Sequence, residues 1–122
     1  MGSELLYLSR ADVEQVGLPM AEIIAAVEAV FREKGEGRVE MPPKIGVHPA
    51  PDDFLHAMPA YVASPRAAGI KWVGNFIKNQ ARGLPTISGL VMLNDPETGL
   101  PMATMDCTWI TAKRTGAASA VA

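Results

Sequence analysis

Residues 87–106, ISGLVMLNDPETGLPMATMD, place two extended runs on either side of a short polar segment. The runs are 87–94 and 101–106. The DPETG between them has Pro96 at the favoured second turn position and Gly99 where a positive φ is expected. This arrangement predicts a β-hairpin. A hairpin of this kind favours an antiparallel sheet over alternating βαβ units.

Three more extended segments precede this hairpin: KIGVH at 44–48, FLHAMPAYV at 54–62 and GIKWVGNFI at 69–77. Pro59 interrupts the second segment and predicts an edge position or a bulge there. The third segment alternates between two faces, with Ile70, Trp72 and Phe76 on one and Lys71, Val73 and Asn75 on the other. The sequence therefore predicts a meander of four or five strands.

The first residues of the chain indicate a short strand followed by a short helix. LLYL at 5–8 has the composition of a strand. Ser9, with Asp12 three residues later, resembles a helix N-cap. The helix is expected to end at about Val16, because glycine and proline follow.

Two longer helices are predicted, one before the meander and one after it. Residues 20–35 carry apolar side chains at helical spacing, and Gly35 suits the position just past the helix end. The last helix begins at about Trp109 and continues to the final residue. The predicted fold class is α+β, with N-terminal helices packed on a mostly antiparallel or mixed sheet.

The composition is typical of a globular domain, with 122 residues of which 48% are apolar and 20% charged. A net charge of −2 argues against nucleic-acid binding. Residues 1–40 hold four basic and eight acidic side chains, and residues 41–122 hold seven and five. The second part is therefore the better candidate for an anionic ligand.

Cellular location is predicted from the cysteine content and from the absence of targeting patterns. Cys107 is the one cysteine, so an intrachain disulfide is excluded and a reducing compartment is expected. The start of the sequence has no secretory pattern, and no apolar run is long enough to cross a bilayer. We expect a cytoplasmic protein that binds neither membrane nor nucleic acid.

No cofactor or metal motif is complete in this sequence. GEGR at 35–38 lacks the third glycine and the preceding strand of a dinucleotide-binding turn. The two histidines and the cysteine have no metal-ligand spacing, and no serine–histidine–acid set stands out. The residues alone predict no metal site and no complete active site.

Three basic residues are candidates for binding an anion. Lys71 lies between apolar neighbours in its strand, where an unpaired ammonium costs several kcal/mol. It is either a fixed cation for a substrate carboxylate or a lysine on a solvated face or edge. Lys44 leads another apolar strand and allows the same two interpretations. Arg114 can grip a carboxylate in a bidentate way, or it is a solvated helix residue.

Other side chains have weaker functional interpretations. His56 and Met58 are expected on one side of their strand, where the histidine either relays protons or is a satisfied, half-buried residue. Thr86, in GLPT, can donate a hydrogen bond to a ligand. Cys107 is expected in the core, and Trp72 is expected in the core or at an interface.

Several motifs occur in a family-specific order: MPAY at 58–61, GIKWV at 69–73, N-x-x-x-GLPT at 79–86, LNDPETGLP at 93–101 and MD-x-T-W-IT-x-x-RTGAASAVA at 105–122. Together they resemble the ornithine cyclodeaminase and mu-crystallin family, especially its ornithine cyclodeaminase-like and alanine dehydrogenase-like members. The resemblance is strong over about residues 40–122 and looser over the N-terminal helices.

The resemblance implies a homodimeric enzyme of two domains. Residues 1–108 would form the substrate-binding and dimerisation domain. Residues 109–122 would begin a helix that connects it to a Rossmann domain for NAD or NADP. On this interpretation the run of small residues at 115–122 has no cap because the helix continues into that domain. The family's C-terminal segment, which returns to the first domain, would also lie outside these residues.

The resemblance also assigns roles at matching positions. Lys71 matches the lysine that contacts the substrate carboxylate, and Lys44 matches an arginine or lysine on the substrate side. Thr86 matches a cofactor-contacting threonine, and Arg114 matches an arginine between cofactor and substrate. His56 stands where true ornithine cyclodeaminases have a glutamate, which argues against ornithine cyclisation. The family's general acid/base matches no residue here.

The predicted function is that of the N-terminal part of an NAD(P)-dependent amino-acid or imino-acid oxidoreductase or cyclodeaminase. These 122 residues alone are expected to be inactive. The alternatives are a non-catalytic, mu-crystallin-like ligand- or cofactor-binding protein and a stand-alone α+β dimerisation module. A G-x-G-x-x-G encoded within about 30 residues of Ala122 would favour the enzyme.

Overall fold

The computed structural model describes residues 4–122. In chain order the elements are β1 Leu6–Leu8, α1 Arg10–Val16, α2 Met20–Gly35, β2 Val39–Glu40, β3 Ile45–Ala50, β4 Asp53–Val62, β5 Ala67–Asn75, β6 Ile87–Asn94, β7 Pro101–Asp106 and α3 Thr108–Val121. A 3-10 helix, Ile77–Arg82, joins β5 to β6.

The strands form one seven-stranded mixed sheet in the order β1-β7-β6-β5-β4-β2, and β3 also pairs with β4. β1 runs parallel to β7, and the other pairs are antiparallel. The predicted α+β class is confirmed. The sheet has more strands than expected, because β2 is too short to leave a pattern in the sequence.

The predicted hairpin is β6–β7, and its turn has the expected conformation. Gly99 has φ 76°. The Asp95 carboxylate accepts the Glu97 amide at 2.8 Å, which closes the turn from inside. Because aspartate forms such local bonds readily, the turn is fixed by its own residues rather than by distant packing.

The N-terminal helices begin as predicted, but one ends differently. Ser9 and Asp12 form a capping box at the start of α1, in which each side chain bonds the other residue's backbone amide. The expected break at Gly35 is wrong, since α2 includes Gly35. Gly37, at φ 75°, is instead the residue in the left-handed conformation. The chain turns two residues later than predicted.

Pro59 lies within β4 at a position without a partner on one side. β3 pairs with β4 up to Ala57, and β2 begins pairing at Tyr61. On the opposite side Pro59 faces Ile70 in an unbroken register. Because proline has no amide hydrogen to donate, the gap between β3 and β2 accommodates it. The strand is central overall but has a local edge at this residue.

The three α-helices form a layer on one face of the sheet. α3 packs against α2 and contacts α1 and β6. The face it covers carries Lys71, whose side chain bonds Thr111 of α3. No helix among residues 4–122 is both long and apolar enough to span a membrane.

The apolar core between the layers is thin. Val13, Val73, Cys107 and Ala117 are buried, which confirms the prediction for Cys107. The suggestion that Trp72 lies in the core is wrong, because its side chain is 42% exposed on the opposite face of the sheet. Alternation along β5 places Trp72 there because Lys71 and Val73 face the helices.

Candidate functional site

Lys71 lies near the middle of the helix-covered face because of the strand register. Its cross-strand neighbours are Met58 on β4 and Val91 on β6. The Lys71 Nζ donates a hydrogen bond to the Thr111 Oγ1 at 3.4 Å. The ammonium is half-buried between the sheet and α3, so it does not point freely into solvent.

Burial and two neighbouring cations disfavour the charged form of Lys71. Burial lowers the pKa of the Lys71 ammonium, and the nearby Arg114 and then Lys44 lower it further. The nearby Cys107 acts in the other direction, by more than Lys44 but less than Arg114. A half-buried ammonium whose charged form is disfavoured by two neighbouring cations is stabilised by a bound anion. The arrangement therefore has the electrostatics of an anion-binding site.

A cavity with two lobes surrounds these cations. The proline lobe, about 590 Å³, is lined by Lys34, Met41, Pro42, Pro43, Pro59, Ala60 and Ile110. The histidine lobe, about 380 Å³, is lined by Phe54, His56, Val73, Gly74, Asn75 and Ile87. Both lobes are also lined by the junction residues Lys44, Met58, Lys71, Thr111 and Arg114. Each lobe is of a size that suits a small ligand.

His56 reaches the histidine lobe from β4. Its ring stacks on Phe54 with centroids 3.9 Å apart and meets the His48 ring edge-on at 6.4 Å. Desolvation lowers the pKa of His56, and the charges of Lys44 and His48 lower it further. The imidazole is therefore neutral at pH 7, and it offers one donor and one acceptor nitrogen.

Five of the six predicted site residues line the same lobe: Lys44, His56, Met58, Lys71 and Arg114. The expectation that His56 and Met58 share a strand face is confirmed. Thr86 does not line either lobe. It precedes β6, where its carbonyl accepts the Phe76 amide at 2.9 Å, and the next residue, Ile87, lines the histidine lobe. The roles assigned to all six remain predictions.

The sequence did not identify Lys34, Thr111 or the Met41–Pro43 segment as site residues. Lys34 ends α2 and is distant in sequence from every other lining residue on β4, β5 and α3. Such a position carries no local pattern. Thr111 precedes Arg114 by three residues. This spacing places both side chains on the same face of α3, and it is the sequence feature that could have identified Thr111.

Within residues 4–122, neither lobe is lined by an aspartate or glutamate. The same residues contain no group of three or more histidine, cysteine or acidic side chains suited to a metal ion. The chemistry that the cavity offers is therefore binding and orientation of an anion by fixed cations and one hydroxyl.

Residues 4–122 match the model of the ornithine cyclodeaminase/mu-crystallin family. The chain belongs to this family.

Particular relatives match over nearly the whole chain. The nodulation efficiency protein NfeD of Rhizobium meliloti is 50% identical over 115 residues, which cover 94% of this chain and 36% of NfeD. The Δ1-pyrroline-2-carboxylate reductase of Thermococcus litoralis, solved with NADH and L-proline, superposes with a TM-score of 0.89 at 39% identity. That match covers 93% of this chain and 35% of the reductase.

An archaeal alanine dehydrogenase dimer with bound NAD superposes with a TM-score of 0.86 at 43% identity, covering 93% of this chain and 34% of that one. The described chain thus spans about a third of the length of the relatives it matches. The two solved neighbours are a reductase with bound NADH and a dehydrogenase with bound NAD.

Proposed function

We propose that this chain supplies the substrate-binding part of an NAD(P)-dependent oxidoreductase acting on small amino or imino acids. The observation that carries the proposal is the meeting of Lys44, Lys71 and Arg114 at the junction of two lobes. The solved neighbours with NADH and proline, and with NAD, support it. The family's cyclodeaminase chemistry is the alternative within the same class.

The junction cations would hold the carboxylate that every such substrate carries. A carboxylate between Lys71 and Arg114 accepts charge-assisted hydrogen bonds and restores the protonation that burial disfavours in the lysine. Thr111 adds a hydroxyl on the same side. Fixing the carboxylate fixes the direction of the neighbouring carbon, and orientation of this kind contributes several kcal/mol to catalysis.

The residues present fit only one end of NAD or NADP. The histidine lobe is lined by Ile87, which follows the predicted cofactor contact Thr86 in sequence. The bound group would supply hydride acceptance or donation. Among residues 4–122 no glycine-rich turn leads from a strand into a helix, so the proposal assigns them no contact with the pyrophosphate.

The remaining assignments are part of the same proposal. Residues 1–108 would be the substrate-binding and dimerisation domain, and 109–122 would begin a connecting helix. The partner is a second copy of the chain, as in the archaeal alanine dehydrogenase dimer. The helix-free sheet face is the surface offered for it. A cytoplasmic location remains a prediction from the sequence.

Ligand binding by the purified chain tests the anion site directly. Pyruvate and L-alanine, titrated by chemical-shift perturbation in NMR spectra, should perturb Lys71, Thr111 and Arg114. The Lys71→Met variant should bind about tenfold more weakly or worse, because one charge-assisted hydrogen bond is lost. Lys78→Met, on the exposed 3-10 helix away from both lobes, is the matched control and should bind like the parent.

Two outcomes decide against the proposal. Failure of both compounds to perturb any junction residue would refute the anion site. Equal weakening by Lys71→Met and Lys78→Met would show that bulk charge, not the site, attracts the ligands. Hydride transfer is then measured on the product of the complete gene through NADH absorbance. Ligand binding without turnover there would favour the non-catalytic, mu-crystallin-like alternative.

A further inference from the structure

We propose that the proline lobe is a second anion subsite and that Lys34 selects a substrate carrying a second acidic group. The inference rests on the proposed function, in which the junction holds the first carboxylate. It names the substrate class: amino or imino acids with an acidic side chain, in preference to neutral or diamino acids.

The lining of the proline lobe is apolar and stiff apart from its charges. Pro42, Pro43 and Pro59 form much of the wall, with Ile110 of α3 opposite. Lys34 is the only charged group of this lobe, among the described residues, that the histidine lobe does not share. A ligand anchored at the junction and extending into this lobe therefore meets one additional charge, and it is positive.

The acidic neighbours of Lys34 are engaged elsewhere. Glu33 accepts two hydrogen bonds from the Arg38 guanidinium, at 2.6 and 2.9 Å, and Arg38 also pairs with Glu36. These bonds lower the pKa of Glu33, so its carboxylate stays ionised and paired. The ion pairs of the described residues are formed by Arg10, Arg32 and Arg38, not by Lys34.

The charge balance of the cavity follows from these contacts. One substrate carboxylate at the junction offsets one of the positive charges of Lys44, Lys71 and Arg114. Lys34 adds a further positive charge to the cavity, and the neutral His56 adds no charge. With no lining acid among residues 4–122, a second carboxylate is attracted and a distal ammonium is repelled. Repulsion of a substrate with a distal ammonium makes the site specific, because it weakens binding of the wrong substrate as well as favouring the right one.

Three amino acids with the same number of carbons isolate the effect of the distal group. L-Glutamate carries a distal carboxylate, L-norvaline a methyl group and L-ornithine an ammonium. In NMR titrations of this chain, we expect glutamate to bind about tenfold or more tightly than norvaline, and ornithine more weakly than norvaline. Glutamate should also shift the resonances of Lys34, which norvaline should leave unchanged.

Substitutions on α2 then assign the preference to one residue. Lys34→Gln should bring glutamate affinity down to that of norvaline and leave norvaline unchanged. Lys34→Arg should retain the preference. Arg32→Gln is the matched control, because Arg32 lies on the same helix but lines neither lobe, and it should behave as the parent.

The outcomes separate this inference from the function on which it rests. Glutamate and norvaline binding equally well at the junction would overturn the second subsite and leave the first intact. A glutamate preference that survives Lys34→Gln, or that Arg32→Gln also removes, would overturn the role of Lys34. If none of the three amino acids perturbs the junction, the proposed function itself fails.

Discussion

Lys71 carries a charge that its surroundings disfavour in the absence of a ligand. The residue is half-buried, bonds only a hydroxyl among the described side chains and lies near Arg114 and Lys44. A side chain chosen for stability at this position would be apolar, like its neighbours on the sheet. Residues that bind ligands are often placed at such a cost to the fold.

Replacing Lys71 should therefore separate binding from stability. The folded state lowers the pKa of Lys71 below the ordinary 10.5, so between the lowered pKa and 10.5 the unfolded chain binds more protons than the folded one. Stability then rises as pH increases toward 10.5. Lys71→Met should have an unfolding free energy at pH 7 equal to or above that of the parent, and it should lose this rise above neutral pH. Urea unfolding at several pH values measures both.

A marked loss of stability in Lys71→Met would contradict this interpretation, because it would mean that the ammonium stabilises the fold. Val91→Thr, at a cross-strand neighbour of Lys71, is a useful comparison, since it places a hydroxyl on the same face. Val91→Thr should lower the free energy of unfolding by a similar amount at every pH, and the rise between neutral pH and 10.5 should remain as in the parent.

His56 should make the fold sensitive to acid. Burial, Lys44 and His48 lower its pKa below the ordinary 6.5, so between the two values the unfolded chain binds the extra proton. The free energy of unfolding is therefore unaffected by His56 above pH 6.5, and it decreases as the pH falls below 6.5. His56→Gln should flatten the decrease in stability that begins as the pH falls below 6.5.

His48→Gln is the control for the acid dependence. His48 is exposed on β3 and meets the His56 ring edge-on, so its removal should lessen the effect without abolishing it. Unfolding monitored by tryptophan fluorescence across this pH range gives the answer. The same slope in the parent and in His56→Gln would mean that another group causes it.

At the scale of elements, the site depends on how closely α3 approaches the sheet. The amide of Cys107, at the start of α3, donates to the Gly89 carbonyl of β6 at 3.1 Å. Gly89 itself lies opposite Val73 on β5. A Cβ at Gly89 would lie only 2.8 Å from the Val73 Cα. The glycine thus permits both the strand pairing and the position of the helix.

Gly89→Ala should destabilise the chain by about 1–3 kcal/mol, as expected for overpacking against backbone. It should also weaken anion binding, because Thr111 and Arg114 move with α3. Gly35→Ala is the matched control. Nothing lies within 4 Å of a Cβ at Gly35, and alanine there should stabilise α2 by about 0.5–1 kcal/mol. Calorimetry and the ligand titration measure the two effects.

Wild-type stability and affinity in Gly89→Ala would show that the sheet can spread at this position without moving α3. In that case the position of α3 depends on its packing against α2, and the link from Gly89 to the site would be wrong.

At the scale of the whole molecule, the chain has a larger solvent-accessible surface than a compact monomer of the same mass. Its accessible surface is 8255 Å² for 13.0 kDa, against roughly 6,300 Å² expected for a compact monomer of that mass. The sheet face not covered by the helices presents a row of apolar side chains, one from each of four neighbouring strands. They are the cross-strand partners Ile45, Ala57, Trp72 and Leu90. Ile45 is 73% exposed. An interface between two copies covers about 800 Å² on each.

We expect the chain to dimerise through this face. Trp72→Glu should shift the dimer toward monomer, because it places a charge in the middle of the apolar row. Phe31→Glu, on α2 and 47% exposed, is the control on the helical side and should leave the dimer unchanged. Size-exclusion chromatography with light scattering gives the mass of each. A parent chain that stays monomeric at high concentration would refute the expectation.

The fold was predictable where local residues decide it. The capping box of Ser9, the turn at Gly99 and the alternation along β5 all appeared in the structure as the sequence predicted. One strand was missed because the evidence for it is not local: β2 has two residues and depends on pairing with Tyr61 and Val62. The end of α2 was placed wrongly although its cap is local, with the Glu36 amide bonding the Arg32 carbonyl.

The candidate site was predictable in its residues and not in its shape. Lys71 and His56 stood out because a polar side chain in an apolar strand is unusual, and the family motifs added Lys44 and Arg114. Lys34 was missed because it reaches the cavity from a helix far away in sequence. Pro42, Pro43 and Pro59 adjoin the predicted residues Lys44 and Met58 but carry no polar group that would indicate a site. Thr86 was expected at the site and lies beside it.

The amino-acid sequence by itself determined the class of fold, the family and the cations at the junction, because turn chemistry, side-chain alternation and short motifs are properties of neighbouring residues. Only the tertiary structure decided that, among residues 4–122, the cations converge with no acid lining the cavity and the helices cover one sheet face and not the other. Register and helix packing set those features, and both depend on contacts between residues that the sequence keeps far apart.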